Sequence, residues 1–339
     1  YMDILIGTIF LVIVLALFTL FTYKAPSGMK AMSALANAAI ATFLVEAFHK
    51  YVGGDLLGIK FLGELGDAAG GLGGVAAAGL VALAIGVSPV YALAIAVSCG
   101  GLDLIPGFVA GYVVGYVMKY AEKRVPDGVD LIVGILLIAP LARLLATGVT
   151  PLVNNSLMKI GDIIQNSMDV NPIVMGLILG GIITVVGTAP LSSMALTALL
   201  GMTGLPMAIA AMVSFGSSFI NGTMFHRLNL GDRKSKIAVC IEPLSQADVV
   251  SANPVPIYTA NFIGGALGGA VIASSGMIND ATGTATPLAG FLVMFGFNSP
   301  TTILIYGAIL GVIGLIVGYG ASLVFKNYPI ITKHELENR

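Results

Sequence analysis

Glu242 lies in the run Cys240-Ile241-Glu242-Pro243-Leu244-Ser245-Gln246-Ala247-Asp248, and Ser251-Ala252-Asn253-Pro254 follows closely. Each proline removes a backbone donor and its ring collides with the preceding turn, so no single helix can run through this segment. The freed backbone groups, a carboxylate, amides and hydroxyls stand within fourteen residues. Such a set can make several hydrogen bonds at once with the hydroxyls of a sugar or other polyol. Glu242, Gln246, Asp248 and Asn253 are therefore the candidate binding residues here, with Glu242 foremost. The plain alternative is a loop with ordinary solvated charges.

A second candidate is Thr188-Ala189-Pro190-Leu191-Ser192-Ser193, where small hydroxyl residues and a proline end an apolar run. Thr188 and Ser192 could sit at a hairpin tip that lines a cavity, or the segment could be a simple turn between helices. His226 and Asp103 are auxiliary candidates. His226 opens a basic loop beside Arg227 and reads more readily as a solvated residue, and Asp103 could cap a broken helix. Arg143 is better suited to pairing with an acid or reaching the interface than to touching a solute. Gly264-Gly265-Ala266-Leu267-Gly268-Gly269 reads as a helix-packing face, because no basic residue nearby could meet a phosphate. Cys99 and Cys240 sit in apolar surroundings without metal-ligand spacing. No catalytic residue, metal site or cofactor is expected.

The elements that must position these residues are membrane helices. Of 339 residues, 57% are hydrophobic and 10% charged, and the mean hydropathy is +0.97. Soluble domains carry about a quarter charged residues. Residues 4–22, 68–102, 172–225 and 283–324 contain no Asp, Glu, Lys, Arg or His. About 20 apolar residues make one helical crossing, and lipid leaves unpaired backbone no partner. These patterns predict an all-α polytopic membrane protein of about 9–11 membrane elements, including broken helices and re-entrant hairpins. The net charge of −1 gives no footprint for nucleic acid.

Ile4 to Thr22 reads as the first span rather than a signal peptide, since Asp3 and no basic region precede it. Tyr1 before Met2 looks like an added residue. Further spans are expected at 29–48, 68–87, 89–118, 129–147, 172–187, 205–225, 259–278 and 301–325. Short amphipathic segments are expected at 49–67 and 154–169. Lys24 with Lys30, the cluster Lys119, Glu122, Lys123, Arg124 and Asp127, the 226–236 loop and the tail should share the cytoplasmic side. That requires an even number of crossings between Lys30 and Lys119. A re-entrant or split helix at Gly100–Gly107 would supply it.

Ile241-Glu242-Pro243, Ala247-Asp248 to Asn253-Pro254, and Phe262 to Gly269 together resemble the sugar-site region of the membrane (IIC) component of bacterial phosphotransferase sugar systems. Gly111-Tyr112 through the Lys119 cluster, Ile138 to Leu141 and Met175 to Pro190 look similar too. Fructose-type members have Ile-Thr-Glu-Gly and then a stretch ending Asp-Pro before a Gly-rich helix. Here Ile241 replaces the Thr and Pro243 the Gly. Within the family the chain is most similar to the PfoR-like regulatory subgroup.

The resemblance implies a homodimer in the bacterial inner membrane, each protomer one IIC-like domain. About 1–150 would be scaffold, about 170–325 a mobile transport part with two hairpins, and 326–339 a short cytoplasmic tail. Glu242 would contact sugar hydroxyls, and the Gly187 to Ser192 turn would form the opposite wall. The sugar or related polar solute would cross by an elevator-like shift. The tail carries no phosphorylatable Cys and only the isolated His334, so phosphorylation is expected from a separate IIB protein. A membrane solute sensor and an ion- or proton-coupled transporter, in which Glu242 or Asp248 titrates, are the alternatives.

Overall fold

Polar residues followed by proline set the helix starts. Ser88-Pro89, Asn171-Pro172, Asn253-Pro254, Thr286-Pro287 and Ser299-Pro300 each place the polar residue at the N-cap and the proline in the first turn. Proline fits there because its missing N–H would have no intrahelical partner. The Asn171 and Ser299 side chains also accept from the amides of Ile173 and Thr302.

The computed structural model describes residues 2–126, 128–168 and 171–337, which contain helices and no strand. Tyr1, Asp127 and Asp169 lie outside the described residues. The helices run α1 Met2–Lys24, α2 Gly28–Leu56, α3 Lys60–Gly70, α4 Gly73–Ala84, α5 Pro89–Ser98 and α6 Leu104–Glu122. Next, α7 runs without interruption through Val129–Val133, a π-helical Gly134–Ile138 and Ala139–Met168. The second half comprises α8 Pro172–Thr188, α9 Ser193–Leu199, α10 Gly204–Arg227, α11 Arg233–Ile241, α12 Ala247–Ala252, α13 Pro254–Ala273, α14 Pro287–Val293, α15 Pro300–Val324 and α16 Lys333–Glu337. Among the described residues six helices are long and apolar enough to cross a bilayer, and α3 with α4, bent by 51°, adds a seventh if counted as one span. The chain is a polytopic all-α membrane protein.

In the first half, α4 and α6 lie side by side and parallel. A Cβ on Gly107 would collide with the Gly74 backbone, and one on Gly111 with that of Ala78. Lys119 Nζ closes the far end by donating to Ile85 O at 2.6 Å. Between them α5, ten residues long, rises only ~15 Å. That is half the hydrocarbon core. The turn after it returns to α4, where Gly74 N–H donates to Leu102 O at 3.0 Å. Arg143 meets this break, donating from Nη1 to Gly100 O at 2.6 Å.

In the second half, α8 and α13 pack antiparallel with almost no side chain between them. Gly176 and Gly180 face Gly269 and Gly265 so closely that a Cβ on any of the four would strike the opposing backbone. The glycine run at 264–269 is thus a packing face. Thr184 Oγ1 donates across this seam to Asn261 O at 2.7 Å. The Asn261 amide in turn donates to Asn221 Oδ1 on α10 at 2.7 Å. With lipid as apolar as the side chains, close backbone approach and such polar clasps hold helices together. Of the six candidate spans among the described residues, α10 is the most enclosed, with 72% of its most apolar stretch buried.

Two segments differ from the sequence expectation. The expected span at 129–147 and amphipathic helix at 154–169 are one helix, with Pro151 inside it. Pro151 lacks the N–H that would meet Thr147 O, and one residue earlier Thr150 Oγ1 donates to Ala146 O at 2.9 Å. The segment 49–67 does not stand apart from the preceding span. Helix α2 continues to Leu56 through π-helical turns and folds back against α3. Gly54 and Gly63 let the two backbones touch, and Lys50 bridges Glu46 at 3.5 Å and Asp67 at 2.8 Å.

Candidate solute-binding site

Asp232 starts α11: its Oδ1 accepts from Ser235 N–H at 2.7 Å. This bond holds the Asp232 carboxyl below the usual carboxylate range. The helix ends where Pro243 forces a new start, leaving Glu242 extended (φ −150°, ψ 105°) ahead of the short 3₁₀ turn Pro243–Gln246. Glu242 is 8% exposed. Its Oε1 accepts from Leu244 N–H at 3.4 Å, and its Oε2 accepts from the Thr286 hydroxyl at 2.7 Å. Thr286 is itself buried and extended, at the N-cap of α14. Two polar-proline junctions from separate broken segments therefore meet inside the protein. Among the described residues no Lys, Arg or His pairs with Glu242. A carboxylate offers about four acceptor positions. Two are taken, and a hydroxylated ligand could use the others.

The turn after α8 reaches the same junction. Thr188 Oγ1 donates to Thr184 O at 2.6 Å and so stays with its own helix. Ser192 is buried in the left-handed region (φ 62°), which turns the chain into α9. The next residue, Ser193, donates from Oγ to Ala285 O at 2.7 Å, one residue before Thr286. Thr282 Oγ1 ties the same loop to Thr197 O at 3.0 Å. Ser192 also lines a cavity of about 250 Å3 together with Asp103, Phe43 and Asn154.

The remaining candidates on the Glu242 segment point elsewhere. Gln246 Nε2 donates to Ser245 O at 2.8 Å, while its Oε1 is buried without a donor. Asp248 forms an ion pair with Lys333. Asn253 is committed to the C-terminal segment: Nδ2 donates to Ile331 O at 2.8 Å and Oδ1 accepts from Ile331 N–H at 2.9 Å. Asp248 and Asn253 thus hold residues 331–333 against α12. His226 is exposed at the end of α10 and lines a cavity with Arg227 and Arg233. Asp103 is exposed at the N-cap of α6, and its side chain makes no cap bond.

Thr286 was not among the residues that sequence reasoning singled out. A signal was present: Thr286-Pro287 repeats the polar-proline pattern of Glu242-Pro243 within the other Gly/Thr/Pro-rich gap between spans. Among the described residues no group of three or more His, Cys, Asp and Glu could hold a metal ion.

The family model described as "Phosphotransferase system, EIIC" matches residues 29–338. Searches of curated proteins and of solved structures found no match. The match spans α2 to α16, both polar-proline junctions and the docked tail, and the chain belongs to the phosphotransferase-system EIIC family.

Proposed function

We propose that this EIIC protein carries a sugar or related polyhydroxylated solute across the bacterial inner membrane, and that Glu242 is its principal solute contact. The observation that carries this reading is a buried carboxylate with two donors and no cation, at a break in the backbone. Broken backbone at membrane depth is tolerated where it is enclosed by protein or lines a water-filled cavity. Thr286 and the Thr188–Ser193 turn complete the wall around it. Residues 1–150 serve as scaffold and 170–325 as the moving part, shifting like an elevator in a homodimer. Residues 326–339 form the cytoplasmic tail. Phosphorylation, where it accompanies transport, falls to a separate IIB protein. The resemblance around Glu242 to fructose-type members supports this reading, and we also read the chain as similar to the PfoR-like regulatory subgroup.

Those relatives give weight to a second reading, a solute sensor that binds without transport. One observation favours it: the 226–236 loop and the tail, the two segments best placed to meet a partner, join through Lys333 N–H and Leu230 O at 2.9 Å. Counterflow in proteoliposomes separates the two. The carrier exchanges labelled sugar against an unlabelled internal pool without a pH or sodium gradient. Saturable binding without counterflow would favour the sensor, and uptake that follows an ion gradient would favour a coupled secondary transporter.

A further inference from the structure

Helices α10 and α15 pack in parallel. A Cβ on Gly314 would strike Gly216 O, and one on Gly318 would strike Ile220 O. The two helices therefore end on the same face of the membrane, at Arg227 and Val324. The 24 residues of α10 rise ~36 Å, enough to carry its last turn out of the hydrocarbon core. Helix α11 folds back beside that end. Its Cys240 Sγ lies so close to Gly222 that a Cβ there would meet it at 2.6 Å, and the Ser218 hydroxyl donates to Cys240 O.

A groove of about 600 Å3 lies between these three helices. From Arg227 down to Ser218 it follows α10 for ~14 Å. Its deeper walls are apolar: Phe219, Ile237 and Leu315 line it, the last two 53% and 50% exposed. Its mouth is basic. Arg227, Arg233 and Lys236 line it, and among the described residues no Asp or Glu does. Arg227 is held in place, for its Nε donates to Ser322 Oγ at 2.7 Å and its guanidinium lies 4.1 Å from the centre of the Tyr319 ring. That bond leaves the terminal nitrogens for a ligand. Arg233 and Ile237, one turn apart and both exposed, put charge and apolar surface on one face of α11. Lys236 donates to Asn229 Oδ1 at 2.8 Å, a neutral partner. The neighbouring acid, Asp232, accepts from Ser235 N–H and lines a separate cavity toward Ser33 and Asn37 of α2. Among the described residues no carboxylate forms an ion pair with Arg227, Arg233 or Lys236.

From this arrangement we propose that the groove holds an anionic phospholipid, its phosphate at Arg227, Arg233 and Lys236 and one acyl chain along Phe219, Ile237 and Leu315. A free anion would leave the apolar walls uncovered, and a neutral lipid would leave the three cations without a counter-charge. Guanidinium groups meet phosphate oxygens through paired, charge-assisted hydrogen bonds. Basic pockets between transmembrane helices recognise acidic headgroups by this chemistry. Because α11 ends next to Glu242, a bound lipid braces the helix that carries that residue. The groove shares no residue with the Glu242 contact, and the inference does not depend on that assignment.

Titration of the purified full chain in detergent with phosphatidylglycerol, and with phosphatidylcholine of the same acyl chains, tests it, bound lipid being counted by native mass spectrometry. The first equivalent of phosphatidylglycerol should bind about tenfold or more tighter than that of phosphatidylcholine. The double variant Arg233→Gln, Lys236→Gln should remove most of this difference. A second double variant, Lys123→Gln with Arg124→Gln, takes two exposed charges from the end of α6 and should leave lipid binding unchanged. Melting temperatures without added lipid check that both variants keep their fold, and the comparison of the two lipids on the unaltered chain needs no variant. Equal affinity for the two lipids, unchanged phosphatidylglycerol binding in the 233/236 variant, or an equal loss in the 123/124 variant would each overturn the proposal. Displacement of the lipid by an equal concentration of inorganic phosphate would overturn it too, because the site would then be one for a soluble anion.

Discussion

The Thr286 hydroxyl donates to Glu242 Oε2 at 2.7 Å, joining two segments 44 residues apart, each halted by a proline. Neither segment is a plain span, and each is followed by a transmembrane helix, α13 after Glu242 and α15 after Thr286. Where they meet, a carboxyl group is enclosed by protein and the ends of short helices. The junction gains its order from contacts around it, through Ser193 to Ala285 and through the Ser218 hydroxyl to Cys240 O.

Removing the Thr286 donor while keeping its shape isolates that bond. Thr286→Val should destabilise the protein by about 1.5–3 kcal/mol, the range for a hydrogen bond to a charged group. Thr286→Ser should restore most of it. Thermal unfolding in detergent measures both. A Val variant as stable as the unaltered chain would mean that Glu242 does not depend on this contact.

The glycine seam between α8 and α13 predicts opposite outcomes at two positions. In Gly265→Ala the new Cβ meets Gly180 O and Thr184 Oγ1, so the helices must separate, at about 1–3 kcal/mol. Gly320→Ala on α15 meets nothing within 4 Å and should stabilise by about 0.5–1 kcal/mol through reduced backbone freedom. Melting temperatures of the two variants check the pair. Equal effects would contradict the packing described.

Release of the tail is a third expectation. Asn253→Ala deletes both side-chain bonds to Ile331, leaving the Lys333 contacts with Asp248 and Leu230. Loss of about 1–3 kcal/mol should raise the open population of 330–337 by roughly five- to a hundredfold. Limited proteolysis of the C-terminal segment reads this directly. Unchanged cleavage would show that the tail is held by other means.

The strongest spans were legible because charge-free apolar runs of 17 to 25 residues leave little freedom. Helices α8, α10 and α15 begin and end within two residues of the expected limits. The polar break near Gly100–Gly107 also showed itself: α5 ends at Ser98 and the chain turns back to α4 at Leu102. Pro151 misled because a proline usually ends a helix, whereas α7 runs on through it to Met168. The α2–α3 hairpin was hidden because its glycines, read as breaks, serve as close contacts between two backbones.

At the site, residue type was readable but direction was not. Glu242 announced itself by charge and by the proline after it. Asp248 and Asn253 carry the same kind of signal, yet the structure turns them toward Lys333 and Ile331. Those partners lie some eighty residues away in sequence, and no local pattern encodes a contact of that range. Thr286 was obscure for the same reason.

Isothermal titration of sugars and polyols into the full chain, unaltered and carrying Glu242→Gln, tests the assignment at 242 most directly. The account predicts saturable binding of at least one such solute, weakened by about ten- to a hundredfold in the Gln variant, the equivalent of one charge-assisted hydrogen bond. Equal affinity in the two proteins, or no binding of any sugar or polyol to the unaltered chain, would contradict it.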